Sequence, residues 1–249
     1  APARRVASQL AQRGRTAGRG AGGARLDVGV GRPPVGAGRM ERFAAYHAEP
    51  LLSVWLVIAV QSALLGFLQF GDKALPSLFA ARKACHAGSG LLMLQLDSRE
   101  VASRYFVYLV VVSSLMLTWR LVPSWVPSFR FGDLYDAGIT IYLLIVGLWF
   151  YLQMPVRALA PLFFADPAGA VVGKFCSKRG FNRVWYENKT VMGTLAVFAF
   201  ALLSLDVPWG VPRVGLAAAC ALAEAFGGKT FDNAVIAVPV VWSWLYYHP

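Results

Sequence analysis

The sequence has few of the residues that build disulfide frameworks, metal sites or soluble surfaces. Of its 249 residues only 3 are cysteine, 3 are histidine and 15% are charged. Cys85, Cys176 and Cys220 are widely spaced and form no C-x-x-C pair, which excludes a disulfide framework and a cysteine zinc site. Hydrophobic side chains make up 57% of the chain, and the mean hydropathy is +0.53. This composition is too apolar for one soluble domain and indicates an integral membrane protein.

Long apolar segments predict an all-α integral membrane protein, a polytopic bundle of about six to eight transmembrane helices. Four segments have the roughly 17 to 25 mainly apolar residues that a membrane span needs. Four others carry charge or glycine inside or at their edges, and we expect these to line a functional site. The first four are 50–70, 101–119, 137–155 and 190–205, and the other four are 78–96, 157–173, 210–226 and 232–247.

Positive charge is concentrated at the start of the sequence. Residues 1–43 contain nine arginines, no lysine, and only Asp27 and Glu41 as acids, which gives +7 of the total net charge of +11. This composition resembles an organelle-targeting presequence, so we expect an organelle membrane, with the mitochondrial inner membrane favoured over a plastid membrane. No aromatic residue precedes Phe43, so a base-stacking platform is missing and a nucleic-acid partner is not expected.

The change in composition divides the chain into two parts. Residues 1–39 form an irregular, basic N-terminal extension, and residues 40–249 form a helical membrane domain whose first helix is predicted to begin at Met40. The extension alone cannot offset the entropy of becoming ordered. We therefore predict that other protein subunits or an anionic surface hold it in place.

One carboxylate lies in an apolar segment directly before the most basic stretch of the membrane domain. Asp166 is expected to face a cavity, a metal or a partner, because a carboxylate facing lipid is costly. The following stretch, 174–189, has five cations against Glu187 alone. It is either an anchor on one side of the membrane or a phosphate-gathering loop above a carboxylate that can hold magnesium. Gly169 and Gly173 indicate either a phosphate-binding turn or a close helix-packing face.

Further charged positions have both a structural and a functional interpretation. Arg82 and His86 are four residues apart and share one helix face, so they form either an interfacial anchor with a hydrogen-bonding histidine or part of a catalytic site. Glu224 lies in an alanine-rich helix, where it needs a cation or a proton donor. Asp232 is either a helix cap or a functional carboxylate.

Four short elements of the membrane domain occur in an order that is specific as a set. They are Arg82, Lys83, His86 and Gly90; Asp166, Pro167, Ala168, Gly173 and Lys174; Lys189, Thr190, Gly193 and Thr194; and Glu224, Asp232 and Asn233. Together they resemble the polyprenol kinase family, which includes phytol kinases and dolichol kinases, over about residues 81–239. The chain departs from the family pattern at Met192, where glutamate is frequent, and in the loop 175–188.

The resemblance implies a membrane lipid kinase that transfers a phosphoryl group from CTP, or another nucleoside triphosphate, to the hydroxyl of an isoprenoid alcohol such as phytol or dolichol. It implies that Asp166 is catalytic and that Asp166 and Asp232 hold Mg²⁺. Either Glu224 or His86 takes the hydroxyl proton in this hypothesis. The residues expected to bind the nucleotide are Lys174, Lys189, Thr190, Gly193, Arg82 and Lys83.

Two other classes of protein fit parts of the same pattern. The first is a kinase-derived subunit that has lost catalysis and is a structural component of a large organelle membrane complex, anchored by its basic extension; Met192 and the altered loop favour it. The second is a transporter, which broken helices with buried charges favour, although no inverted repeat is present. An active kinase should bring four side chains around one open cavity large enough for a nucleotide: Asp166, Glu224, Asp232 and Lys189. Tight pairing of these side chains with each other argues against catalysis.

Overall fold

The computed structural model describes residues 50–75, 77–228 and 231–248. The predicted N-terminal extension, its targeting role, its partners and the predicted helix at Met40 lie outside these residues. Within them the chain is mostly helical, which confirms the all-α fold class. The helices are α1 (Val54–Phe70), α2 (Leu78–Met93), α3 (Val101–Thr118), α4 (Ala137–Tyr151), a short 3-10 helix (Val156–Leu159), α5 (Ala160–Lys178), α6 (Val191–Ser204), α7 (Val211–Phe226) and α8 (Asp232–Tyr247).

Short polar side chains and prolines determine where several helices begin. Ser53 and Ser77 each accept a backbone N–H bond of 3.3 Å and so cap α1 and α2. Asp136 caps α4 in the same way at 3.0 Å. A proline in the first turn begins α5 and α7, where its missing N–H is not needed. Seven of the eight predicted apolar segments each contain one helix, whereas the segment 157–173 overlaps the 3-10 helix and α5, which continues to Lys178.

Two helical segments of the described residues are long and apolar enough to cross a membrane, Val101–Thr118 and Val156–Lys178. The helices α1, α4 and α6 are apolar but shorter. At 1.5 Å per residue, the 15 residues of α4 extend about 23 Å, which is less than the roughly 30 Å of a bilayer core. The two longer segments thus meet the length requirement, whereas the polytopic bundle stays a prediction.

The helices form two halves with separate apolar cores. The N-terminal half consists mainly of α1 to α4 and the 3-10 helix, around buried side chains such as Val57 and Phe150. The C-terminal half consists of α5 to α8, around side chains such as Leu162 and Ile236. These four side chains are almost completely removed from solvent. Each half therefore buries apolar area of its own.

The helices α5 and α6 approach each other through glycine. A Cβ atom at Gly169 would lie 3.2 Å from the carbonyl oxygen of Gly193 and 2.4 Å from Cγ2 of Val197. A Cβ atom at Gly173 would lie 2.7 Å from Oγ1 of Thr190. These distances leave no room for a side chain, which confirms the close-packing interpretation of Gly169 and Gly173.

A short antiparallel hairpin interrupts the helical fold between α5 and α6. Its strands are β1 (Val184–Tyr186) and β2 (Lys189–Thr190), and the Val-Trp-Tyr sequence of β1 favours extended backbone. Asn182 attaches this region to both helices, because its Nδ2 donates to the Gly173 carbonyl at 2.9 Å and its Oδ1 accepts from the Met192 N–H at 3.1 Å. The basic stretch between the helices is therefore folded against them.

Candidate functional site

A cavity of about 200 Å³ lies between the helices of the N-terminal half. The helices α1 to α4 and the connection between α3 and α4 form most of its wall, and α5 contributes Asp166 while α8 contributes Asp232 and Asn233. No α7 residue lines this cavity. The prediction that the segment 210–226 lines the functional site is therefore wrong for this cavity. The α7 carboxylate pairs with a neighbouring lysine instead.

The α2 helix runs along the cavity from a charged end to an apolar end. Four cavity-lining residues at a spacing of three or four positions share one face of this helix: Arg82, His86, Ser89 and Met93. The helix rises about 16 Å from the first of these residues to the last. The side chains that line the cavity and share an apolar cluster with Met93 include Val107, Val111 and Val146.

Asp166 accepts hydrogen bonds from two side chains of α2. The Lys83 Nζ lies 2.8 Å from Oδ2 and 3.0 Å from Oδ1 of Asp166, and the His86 Nδ1 lies 3.3 Å from Oδ2. The side chains of Lys83 and Asp166 are only 16% and 9% exposed, so the ion pair is largely removed from water. Pro167 follows within α5 and removes one backbone N–H from the helix next to the carboxylate. The free-energy cost of burying the Asp166 carboxylate is therefore offset by its contacts with Lys83 and His86.

His86 has one ring nitrogen with a protein partner and one without. Its Nδ1 faces Asp166, and this contact favours the proton on Nδ1. Its Nε2 is buried and has no hydrogen-bond partner among the described residues. The ring of Tyr142 meets the His86 ring edge-on, with a centroid distance of 4.7 Å. Held from both sides, His86 lines the cavity and has at Nε2 a buried, oriented hydrogen-bond acceptor.

Arg82 connects α2 to the segment that precedes α4. Its guanidinium lies 2.5 Å from Asp133 and 2.6 Å from Asp136. The Asp133 side chain is 77% exposed, whereas that of Asp136 is 14% exposed. Because Arg82 and Asp133 both line the cavity, the exposure of Asp133 places the charged end of the cavity at the protein surface.

The cavity brings together five of the residues that the sequence predicts for the site. These are Asp166, His86, Lys83, Arg82 and Asp232. Their functional roles stay predictions. The other predicted residues do not line the cavity; they are Glu224, Lys174, Lys189, Thr190 and Gly193.

The predicted residues outside the cavity have partners of their own. Lys189 forms a largely buried ion pair with Glu224. The Lys174 Nζ lies over the ring of Phe79, 3.9 Å from its centroid. Thr190 caps α6 through its hydroxyl oxygen, at the close contact between α5 and α6. The four side chains that an active kinase requires are therefore divided between the cavity and a separate ion pair.

The described residues do not form a site for a resident metal ion. No group of three or more His, Cys, Asp or Glu side chains converges in this part of the chain. Both oxygens of Asp166 accept from Lys83, and Oδ1 of Asp232 accepts from the N–H of Asn233 at 2.8 Å. This arrangement does not fit a magnesium ion held by the protein alone. The predicted role of Asp166 and Asp232 in holding Mg²⁺ together with a bound nucleotide stays a prediction.

The polar residues of the cavity wall that were not singled out from the sequence include Gln61, Ser89 and Tyr142. Gln61 has a sequence signal, because an amide in a long apolar helix is costly for the same reason as a charge. Ser89 and Tyr142 have no such signal, since small hydroxyl and aromatic residues are common in apolar helices.

Comparison with known proteins does not identify a family. No family model, no curated protein and no solved structure matches the chain. The resemblance to polyprenol kinases therefore rests on the four sequence elements. Three of these elements contribute residues to the cavity, and the element that begins at Lys189 contributes none.

Proposed function

We propose that this protein is a membrane lipid kinase whose cavity binds the hydroxyl end of an isoprenoid alcohol, such as phytol or dolichol, or of a similar membrane lipid. The observation that carries the proposal is the unpartnered Nε2 of His86, held by Asp166 in a cavity with an apolar end. An alcohol is complementary to this arrangement, because its hydroxyl donates to Nε2 while its hydrocarbon packs against the apolar wall.

In the proposed reaction His86 accepts the hydroxyl proton at Nε2 while the alcohol oxygen bonds to the terminal phosphorus of the nucleotide. The bond between that phosphorus and its bridging oxygen breaks, and the nucleoside diphosphate leaves. Asp166 stabilises the imidazolium that forms, as the carboxylate does in other His–Asp pairs. Lys83 keeps Asp166 ionised in its buried position.

The size of the cavity limits what it can hold. Its volume of about 200 Å³ is below the roughly 300–1,000 Å³ of typical ligand pockets. We infer that only the hydroxyl end of a long alcohol lies inside, and that the nucleotide, CTP in the first instance, approaches from the charged end. Arg82 is 39% exposed there and contacts phosphate if it releases Asp133.

The apolar surface supports a polytopic bundle in an organelle membrane. The helix α3 exposes large apolar side chains along its length, and Tyr105, Leu109 and Val112 are 71%, 67% and 55% exposed. Leu148 on α4 and Leu203 on α6 are also exposed. Large exposed apolar surfaces are typical of contact with lipid or with partner proteins. The arginine-rich extension makes the mitochondrial inner membrane the location that we favour.

The two buried ion pairs support a second candidate function. The pairs Lys83–Asp166 and Lys189–Glu224 are each closed within the protein, as expected if these charges stabilise the fold and bind no nucleotide. In this alternative the protein is a catalytically inactive, kinase-derived structural subunit of a large organelle membrane complex. Its basic N-terminal extension then anchors it to other subunits.

Phosphoryl transfer by the full chain in lipid vesicles tests the kinase proposal. Labelled CTP or ATP is supplied with magnesium and with phytol, farnesol or dolichol. We expect phosphorylated alcohol from the wild type. We expect rates lower by about 10²- to 10⁴-fold for His86→Gln and Asp166→Asn, because the base is then absent or wrongly oriented.

A matched histidine variant provides the control. His248 follows α8 and does not line the cavity, so His248→Gln should keep the wild-type rate. Equal rates for His86→Gln and His248→Gln would reject His86 as the base. A folded wild type that neither transfers phosphate nor binds nucleotide would reject the kinase and support the structural subunit.

A further inference from the structure

The amide of Gln61 is a buried polar group of which only one of the two polar atoms has a protein partner. Gln61 lies in the middle of α1, is 2% exposed and lines the cavity. Its Nε2 donates to the Ser89 hydroxyl at 2.8 Å, while its Oε1 has no partner among the described residues. Because a hydroxyl can donate or accept, either orientation of the amide leaves one of its polar atoms without a protein partner.

Ser89 and Gln61 together form a polar position within otherwise apolar surroundings. The Ser89 hydroxyl also lies 3.9 Å from the Cys85 Sγ, a weak partner. Buried amide atoms are nearly always hydrogen-bonded in folded proteins. Because Gln61 lines the cavity, a polar group bound there is the candidate partner for its free amide atom.

The position of this pair relative to His86 defines what it can bind. Ser89 follows His86 by three residues on α2, which is about 4.5 Å along the helix axis, and both residues line the cavity. The oxygen atoms of two hydroxyl groups on the first and third carbon atoms of an extended alkyl chain have a similar separation. Beyond Ser89 the helix presents Met93 and the apolar end of the cavity.

We propose that Gln61 and Ser89 form a second hydrogen-bonding position, which binds a second hydroxyl group of a lipid alcohol whose first hydroxyl reaches His86. A hydroxyl satisfies the free amide atom in either orientation, whereas an ether or a keto oxygen satisfies only one. The inference rests on the proposed alcohol site and narrows its substrate class. The ligand is a long-chain alcohol with two hydroxyl groups near one end.

Equilibrium binding to the purified full chain in lipid nanodiscs tests this inference without any nucleotide. The probes are labelled dodecan-1-ol and dodecane-1,3-diol, and empty nanodiscs give the partitioning of each probe into lipid. We expect the wild type to bind the diol more tightly by about 3- to 10-fold, the effect of one hydrogen bond. In Gln61→Met and in Ser89→Ala this preference, taken as the ratio of the two affinities within each variant, should disappear.

Another glutamine serves as the matched control. Gln95 does not line the cavity and accepts a 3.3 Å hydrogen bond from the Leu51 N–H, so Gln95→Met should keep the diol preference. Equal binding of the two probes by the wild type, or a preference that survives both Gln61→Met and Ser89→Ala, would overturn the inference and leave the alcohol site in place. A folded wild type that binds neither probe would overturn both.

Discussion

The two lysine–carboxylate pairs of this protein have similar burial and different surroundings. In the pair Lys83–Asp166 the side chains are 16% and 9% exposed, and in the pair Lys189–Glu224 they are 14% and 9% exposed. The first pair lies on the wall of a cavity and includes a second partner, His86. The second pair does not line the cavity. Burial alone therefore does not distinguish a candidate site from a structural ion pair.

The Lys83–Asp166 pair joins α2 to α5 at the cavity, and the packing around the two pairs differs in the same way. The N-terminal half leaves an open volume between its helices, lined by side chains from α1 to α4. In the C-terminal half, α5 and α6 meet at glycine with no space for a methyl group. A ligand in the cavity can thus reach the Lys83–Asp166 pair, whereas the Lys189–Glu224 pair does not line this cavity.

Removing the lysine of each pair should give the largest contrast. Lys189→Met leaves Glu224 buried without a cation, and we expect a loss of about 3–5 kcal/mol in the free energy of unfolding. Lys83→Met leaves Asp166 with His86 as a partner and with a cavity that water can enter, so the loss should be smaller. Chemical denaturation of both variants in the same lipid mixture measures the difference.

Removal of the whole second pair provides the control for this contrast. Lys189→Met combined with Glu224→Leu replaces both charges by apolar groups and should regain most of the lost stability. The comparison between the two pairs is wrong if Lys83→Met destabilises the protein as much as Lys189→Met does.

Adding a methyl group to one glycine of each half should give an intermediate effect. Gly169→Ala places a Cβ atom 2.4 Å from Cγ2 of Val197, so we expect a loss of about 1–3 kcal/mol. Gly147→Ala on α4 places it 3.6 Å from Cγ2 of Val111, an ordinary contact, and should gain about 0.5–1 kcal/mol from helix propensity. Thermal unfolding of the two variants measures both changes. A Gly169→Ala variant as stable as the wild type would contradict the close packing of α5 and α6.

The smallest effects are expected at the exposed end of the cavity. Asp133→Asn removes an ion pair whose carboxylate is 77% exposed, so stability should change by less than about 1 kcal/mol. Asp136→Ala also removes the cap of α4 and should cost about 1 kcal/mol or slightly more. Unfolding curves of the two variants measure which substitution costs more stability. A larger loss for Asp133→Asn than for Asp136→Ala would contradict this prediction and show that the Arg82–Asp133 ion pair stabilises the connection between α3 and α4.

The positions of the helices could be predicted well from the sequence because helix formation depends on neighbouring residues. The predicted segment 101–119 contains α3, Val101–Thr118, and the segment 137–155 contains α4, Ala137–Tyr151. Caps and prolines mark the boundaries within a few residues. The hairpin between α5 and α6 was missed, because the charge of this stretch hides the strand preference of residues 184–186.

The site could be predicted only in part. The sequence shows that an acidic residue in an apolar helix needs a partner, but it does not show which residue that partner is. Asp166 and Glu224 carry the same sequence signal, yet one lies at the cavity and the other pairs with Lys189. A buried cation, Arg213, was not singled out from the sequence. Its guanidinium donates to three backbone carbonyls near the end of α6, those of Leu202, Leu203 and Val207.

The sequence by itself determined the all-α class, the apolar segments and the charged residues that must find partners. Only the tertiary structure decided which of them share a cavity, because that depends on how closely distant helices approach. At Gly90 of α2 a Cβ atom would lie 2.5 Å from Cβ of Phe163 on α5. This close approach brings His86, about one turn before Gly90, to within 3.3 Å of Asp166, about one turn after Phe163. No local pattern encodes such a contact, since it joins helices that are far apart in the chain.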